Sequence, residues 1–227
     1  MADRCLLYYI TDRSQFRGDE RARRHALLAK VAEAARAGVD YIQLREKDLS
    51  TRELEMLARD TLTAVRNGAP LRTENRELRT SLRTRLLINS RTDVALSTGA
   101  DGVHLRADDL SPQEVRAIVR LSSRQPPATD HFLVAASCHS AADVVHAESE
   151  AADFAVFAPV FEKKDTQSTG LAALREVCRA KIPVLALGGV NVENAASCLN
   201  AGAAGIAAIR LFQENKIEDV VRALRAL

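Results

Sequence analysis

Short apolar runs alternate with longer amphipathic segments along the whole chain. The apolar runs are four to seven residues long, which is typical of strands buried on both faces of a parallel sheet. Eight runs are predicted as strands: Leu6–Ile10, Tyr41–Leu44, Leu86–Asn89, Gly102–Leu105, Phe132–Ser137, Phe154–Val160, Val184–Leu187 and Gly205–Ile209.

The amphipathic segments between these runs predict helices, because their apolar residues form one stripe opposite the charged side chains. The predicted helices are Glu20–Arg36, Thr51–Arg66, Pro112–Leu121, Ala141–Glu150, Leu171–Ala180, Val192–Ala201 and Ile217–Leu227. Eight strands alternating with helices in 227 residues predict an α/β fold, a single-domain (β/α)8 TIM barrel over residues 1–227. An open, doubly wound sheet is the alternative.

One segment interrupts this alternation. Ala69–Thr84 contains six charged side chains and few apolar ones. We therefore expect an exposed polar insertion between the second helix and the third strand.

Composition excludes several classes of function. The 32 Lys and Arg residues nearly balance 30 Asp and Glu residues, so a strongly basic nucleic-acid-binding module is disfavoured. No apolar run approaches the ~18–20 residues that cross a bilayer, which excludes membrane integration. The four cysteines show no Cys-x-x-Cys spacing and nothing resembles a signal peptide, so we expect a reduced, cytoplasmic protein. The sequence leaves open whether a homo-oligomer forms.

Polar side chains follow the second predicted strand. Gln43, Arg45 and Lys47 occupy alternate positions, so an extended chain would point all three to one side. In a TIM barrel that side opens at the mouth where active sites lie. An amide, a guanidinium and an ammonium together favour a phosphate or pyrophosphate ligand. A structural ion pair with Glu46 is the alternative.

A second anion site is predicted where the last two strands end. Gly188 and Gly189 form a turn that would expose backbone N–H groups before a helix expected from Val192. Arg210 adds a cation after the eighth strand. A tight turn without a ligand is the alternative. Two anion sites at one mouth suggest a pair of phosphorylated substrates.

Candidate metal-binding and proton-transfer groups follow other strands. Asp108 and Asp109 are candidate Mg²⁺ ligands, because carboxylate and phosphate oxygens can share a hard cation; capping of the helix at Pro112 is the alternative. His139 is a candidate general acid or base, with capping or packing as its alternative. His104, within the short fourth strand, is interpreted as structural.

Seven short motifs occur in chain order: Thr11–Asp12, Gln43–Lys47, Leu87–Asn89, Gly99–Leu105, Ser137–Ser140, Ala158–Phe161 and Ala186–Asn191. Together they resemble thiamine phosphate synthase and its paralogue, thiazole tautomerase, over nearly the whole chain. The resemblance implies a TIM-barrel enzyme of thiamine biosynthesis. The synthase joins hydroxymethylpyrimidine pyrophosphate to thiazole phosphate and releases pyrophosphate through a pyrimidine carbocation.

The resemblance also implies roles for individual residues. Those that would hold the pyrimidine pyrophosphate are Gln43, Arg45, Lys47 and Asn89. Asp109 matches a Mg²⁺ ligand, and Ser137 matches a substrate contact near the pyrophosphate and pyrimidine. Gly188 and Gly189 match the loop that binds thiazole phosphate. Lys163 or Lys164 would supply a further lysine for the pyrophosphate.

Several departures from the synthase pattern favour the tautomerase alternative. Ser90 replaces an expected aspartate ligand of Mg²⁺, Arg106 and Ala107 replace a Gly-Gln pair, and Arg210 replaces a serine. The tautomerase aromatises thiazole phosphate without metal, using a histidine at the position of His139. The intact Gln43–Lys47 motif and Asp109 favour the synthase, with Mg²⁺ as its expected cofactor. A non-catalytic protein that binds phosphorylated ligands is the third hypothesis.

Overall fold

The computed structural model describes residues 4–68, 83–122, 132–161 and 168–227. Eight parallel strands pair in chain order, and the eighth pairs with the first, so the sheet closes into a barrel. The strands are β1 (Leu6–Ile10), β2 (Tyr41–Leu44), β3 (Arg85–Asn89), β4 (Gly102–Leu105), β5 (Leu133–Cys138), β6 (Phe154–Phe157), β7 (Val184–Ala186) and β8 (Gly205–Ala208). The predicted (β/α)8 TIM barrel is confirmed.

Helices connect successive strands. They are α1 (Glu20–Ala37), α2 (Thr51–Gly68), α3 (Thr92–Thr98), α4 (Pro112–Ser122), α5 (Ala141–Ser149), α6 (Gly170–Val177), α7 (Ala195–Asn200), α8 (Arg210–Gln213) and α9 (Ile217–Arg225). Within the described ranges, none of these helices combines the length and apolar character that crossing a bilayer requires.

Some predicted boundaries are wrong for local reasons, and two short helices were not predicted. β6 ends at Phe157 rather than Val160, because Pro159 has no N–H to continue the ladder. α7 begins at Ala195 rather than Val192, because Asn191 and Asn194 each accept a hydrogen bond from the other's backbone N–H at 2.9 Å and form a turn. α3 and α8 were not predicted, since seven and four residues are too few to show a helical period.

The end of the predicted insertion belongs to the barrel. Thr84 is buried, and its hydroxyl donates to the Val39 carbonyl at 2.6 Å. Arg83 forms an ion pair with Asp101. The prediction of an exposed segment is therefore wrong at Thr84, and residues 69–82 lie outside the described residues.

Aromatic rings fill the barrel interior near the N-terminal ends of the strands. Tyr41 stacks on Phe154 with ring centroids 5.0 Å apart, and Tyr8 meets Phe154 edge-on at 5.6 Å. A separate and larger apolar cluster packs the helices onto the outside of the sheet. Because this end is closed by apolar side chains, polar residues of the interior collect at the opposite, C-terminal end of the strands.

Candidate active site

A cavity of about 410 Å³ opens at the C-terminal ends of the strands. Its polar lining residues are Gln43, Arg45, Lys47, Asn89, His104, Arg106, Asp108, Ser137 and His139. We call it the central cavity. The structure thus brings seven residues predicted from the sequence to one place: Gln43, Arg45, Lys47, Asn89, Asp108, Ser137 and His139.

The alternation predicted after β2 holds, because Glu46 turns away from the central cavity. Its carboxylate accepts from the Thr11 hydroxyl at 2.6 Å and from the Arg13 guanidinium at 3.1 Å. Burial raises the pKa of Glu46, although these two hydrogen bonds oppose that effect. The alternative of an ion pair between Glu46 and Arg45 or Lys47 is therefore wrong, and both cations face the cavity.

The positive charges in the central cavity repel one another. The charge of Arg45 lowers the pKa of Lys47, and burial and the charge of Arg106 act in the same direction. An anionic ligand would relieve this repulsion, since it offers each cation an opposite charge at close range.

Two amide side chains form the wall of the central cavity between β2 and β3. Gln43 Nε2 donates to Asn89 Oδ1 at 2.8 Å, and Asn89 Nδ2 donates to Ser90 Oγ at 3.0 Å. Gln43 is buried, so its amide has a fixed orientation. The fixed pair presents its remaining polar atoms to a ligand without a loss of side-chain freedom.

His104 is a site residue that the sequence interpretation missed. It is buried in β4, with Nε2 2.7 Å from Ser137 Oγ and Nδ1 3.0 Å from the Tyr8 hydroxyl. Burial lowers its pKa to about 3, with a smaller effect from Arg45, so the ring is neutral at neutral pH. The strand alternation of β4, which turns His104 into the barrel, is the sequence signal that could have identified it.

His139 lies just beyond β5 and is exposed. Its Nδ1 is 2.7 Å from the Ala158 carbonyl oxygen, and a carbonyl oxygen can only accept, so Nδ1 carries the hydrogen. In the neutral ring Nε2 is then the basic atom. The backbone N–H of His139 donates to Asp143 in the cap of α5. The backbone of His139 therefore stabilises the start of the helix, while its ring stays available for proton transfer.

A second cavity of about 590 Å³ adjoins the first, and Leu187 and Ile209 line both. Gly188, Gly189 and Arg210 line it as predicted. We call it the glycine-loop cavity.

The glycine loop has a backbone conformation that residues with side chains rarely adopt. The φ angles of Gly188 and Gly189 are 100° and 67°, and a Cβ on Gly188 would lie 2.7 Å from Pro159 Cα. Among the described residues, their N–H groups donate to no other group. Two free N–H groups in successive left-handed residues are suited to a phosphate.

Comparison with known proteins identifies the family. The model of the thiamine monophosphate synthase family matches residues 7–212 of the chain. The chain belongs to this family. The thiamine-phosphate synthase of Methanoculleus marisnigri is 38% identical over 225 residues, which cover 96% of this chain and 93% of the relative. The thiamine-phosphate synthase of Clostridium novyi is 33% identical over 226 residues, which cover 97% of this chain and 96% of the relative.

A solved structure agrees with this assignment. The thiamine phosphate pyrophosphorylase of Pyrococcus furiosus has a TM-score of 0.75 and 28% identity, covering 99% of this chain and 95% of that one. The family inferred from the sequence motifs is therefore confirmed.

Asp109, which the resemblance matched to a Mg²⁺ ligand, lies against Arg106. Both of its carboxylate oxygens accept from Arg106: Oδ1 from the guanidinium at 3.1 Å and Oδ2 from the backbone N–H at 2.7 Å. Burial opposes the ionisation of Asp109, but hydrogen bonds from Arg106 and Ser90 outweigh it and lower the pKa. The carboxylate is therefore ionised, and each of its oxygens already accepts a hydrogen bond from Arg106.

This arrangement does not fit Mg²⁺, because the Arg106 guanidinium already lies against the carboxylates of Asp108 and Asp109 that a hard cation would have to contact. Within the described ranges, no group of three or more His, Cys, Asp or Glu side chains could hold a metal ion. The metal role of Asp109 stays a prediction. Asp109 does not cap α4 either, because the N–H of Glu114 donates to Ser111 Oγ.

The loop after β6 was expected to supply a further lysine to the pyrophosphate site. Lys163 and Lys164 belong to residues 162–167, which lie outside the described residues. Their predicted role in pyrophosphate binding stays a prediction.

Proposed function

We propose that this chain is a thiamine-phosphate synthase that joins hydroxymethylpyrimidine pyrophosphate to thiazole phosphate. The observation that carries the proposal is the pair of adjoining cavities, one lined by Arg45, Lys47 and Arg106 and the other by the glycine loop and Arg210, which share Leu187 and Ile209 as a common wall. A reaction between two phosphorylated substrates needs two such sites, placed so that the reactive ends of the two substrates meet. A tautomerase has one phosphorylated substrate and needs one site.

The central cavity would hold the pyrimidine pyrophosphate. Arg45 can contact phosphate oxygens with two parallel N–H groups, and Lys47 adds a mobile charge. As the bond between the pyrimidine methylene and the pyrophosphate oxygen breaks, its electron pair leaves with the oxygen. Cations fixed near that oxygen stabilise the developing charge. Gln43, Asn89 and Ser137 position the substrate beside them.

The glycine-loop cavity would hold the thiazole phosphate. The N–H groups of Gly188 and Gly189 bind its phosphate, with the charge of Arg210 at the same cavity. The thiazole nitrogen then donates its lone pair to the methylene cation and forms the new C–N bond. This coupling moves no proton, so it makes no demand on a general acid or base.

One observation favours the tautomerase as a second candidate. The hydrogen bond from His139 Nδ1 to the Ala158 carbonyl leaves Nε2 free to accept a proton at the edge of the central cavity. Aromatisation of a thiazole phosphate by proton transfer needs such a group.

Two assays on the purified chain separate the candidates. In the first, both synthase substrates are supplied and thiamine phosphate is measured; in the second, the thiazole tautomer is supplied and aromatisation is followed. For a synthase, Arg45→Gln should lower kcat/KM by about 100-fold or more, the loss typical of a group that stabilises developing charge. Arg175→Gln, on the exposed surface of α6, is the matched control.

The absence of thiamine phosphate in the first assay would refute the synthase. Aromatisation that His139→Gln abolishes would establish the tautomerase in its place.

A further inference from the structure

The Arg106 guanidinium lies between Ser90 and an acidic pair at the edge of the central cavity. Its Nε donates to Ser90 Oγ at 2.8 Å. Its Nη2 lies 3.1 Å from Asp109 Oδ1 and 3.4 Å from Asp108 Oδ2. These contacts hold the guanidinium on two sides, so its position does not depend on a ligand.

Donors remain free on the same guanidinium. Arg106 carries five N–H groups, and the contacts above use Nε and Nη2. Among the described residues, Nη1 has no hydrogen-bond acceptor. Arg106 lines the central cavity, so these two N–H groups are available to an anion within it.

The charges around the central cavity suit an anion without a metal. Three cations line it, Arg45, Lys47 and Arg106, and one carboxylate, that of Asp108. Asp109, which Arg106 also contacts, adds a second negative charge, so three positive charges less two negative charges give +1, with the histidines left out of the count. A pyrophosphate group carries several negative charges, and a field of this sign draws it in and stabilises it.

We propose that Arg106 is the resident cation of the pyrophosphate site and fills the role of a divalent metal ion. The nature of the ligand rests on the proposed function. The guanidinium neutralises Asp109, offers two N–H donors to the pyrophosphate and stays in place through each turnover. Pyrophosphate binding by this chain is therefore independent of Mg²⁺.

The test is calorimetric titration of inorganic pyrophosphate into the full chain, with a chelator or with millimolar Mg²⁺. We expect the two Kd values to agree within about twofold. Arg106→Gln should weaken binding in chelator by about 10- to 100-fold, the size expected for hydrogen bonds to a charged group. Arg91→Gln, which removes an arginine paired with Asp93 outside this cavity, should bind like the unaltered chain.

A converse variant tests the same idea by restoring a metal site. Ser90→Asp combined with Arg106→Gly adds a carboxylate beside Asp108 and Asp109 and removes the guanidinium. Its pyrophosphate binding should become dependent on Mg²⁺.

Two results would overturn the proposal. One is tightening of pyrophosphate binding to the unaltered chain by Mg²⁺ of more than about tenfold. The other is unchanged binding by Arg106→Gln, with its fold verified by thermal denaturation. Neither measurement uses thiamine phosphate formation. Metal-independent binding without product would therefore refute the synthase and leave the role of Arg106 standing.

Discussion

His104 should make the folded protein lose stability in acid. Burial lowers its pKa from 6.5 to about 3, whereas in the unfolded chain the ring titrates near its ordinary value. Between these two pKa values the unfolded state binds more protons, so the free energy of unfolding falls as pH falls below about 6.5. The slope is about 1.4 kcal/mol per pH unit, and the full loss near pH 3 is about 5 kcal/mol.

Denaturant unfolding of the unaltered chain and of His104→Gln at about pH 7 and about pH 5 measures this effect. The glutamine keeps an amide donor and acceptor between Tyr8 and Ser137 but cannot gain a proton. The stability advantage of the unaltered chain should therefore shrink by about 2 kcal/mol over this interval. His25→Gln, at an exposed position of α1, is the matched control. The difference in unfolding free energy between this variant and the unaltered chain should be the same at both pH values.

A parallel loss of stability in the unaltered chain and His104→Gln would refute this reasoning. It would mean that the folded state admits a proton at His104, so the ring would not be the neutral link between Tyr8 and Ser137 described above.

Two further predictions concern the backbone of the glycine loop and the buried ion pair of Glu46 with Arg13. Gly188→Ala should cost about 2 kcal/mol more stability than Gly99→Ala and should weaken phosphate binding. Both positions have positive φ, but only the first places a Cβ against Pro159, while the second meets nothing within 4 Å; equal losses in thermal denaturation would contradict this. Glu46→Gln should lower the free energy of unfolding by about 1–3 kcal/mol, since it weakens a buried contact to Arg13. Chemical denaturation at neutral pH measures this loss, and a value below ~0.5 kcal/mol would contradict the prediction.

Most strands could be predicted because a barrel strand is buried on both faces and forms a continuous apolar run. β1, β2 and β4 match their predicted bounds at both ends. α3 and α8 escaped prediction because a helix of seven or four residues is too short to display a 3.6-residue period. Tertiary packing, not local pattern, makes them helical.

The candidate site likewise contains residues that could be predicted from the sequence and contacts that could not. Gln43, Arg45 and Lys47 could be predicted because alternation within one short segment sets their direction. The hydrogen-bond partners of Arg106 and His104 could not, because they lie far away in the chain. Arg106 meets Ser90 across 16 residues and His104 meets Ser137 across 33. Only strand pairing around the barrel brings these residues together, and no local pattern records it.

Tyr8 joins the apolar interior to the site. Its ring packs on Phe154, and its hydroxyl meets His104, its one hydrogen-bond partner among the described residues. Burial raises the pKa of Tyr8, so the phenol keeps its hydrogen and must donate it. His104 Nδ1 is then the acceptor, and Nε2 carries the ring hydrogen and donates it to Ser137 Oγ. The Ser137 hydroxyl is left with its own hydrogen to donate, which directs it toward an acceptor atom of the substrate in the central cavity.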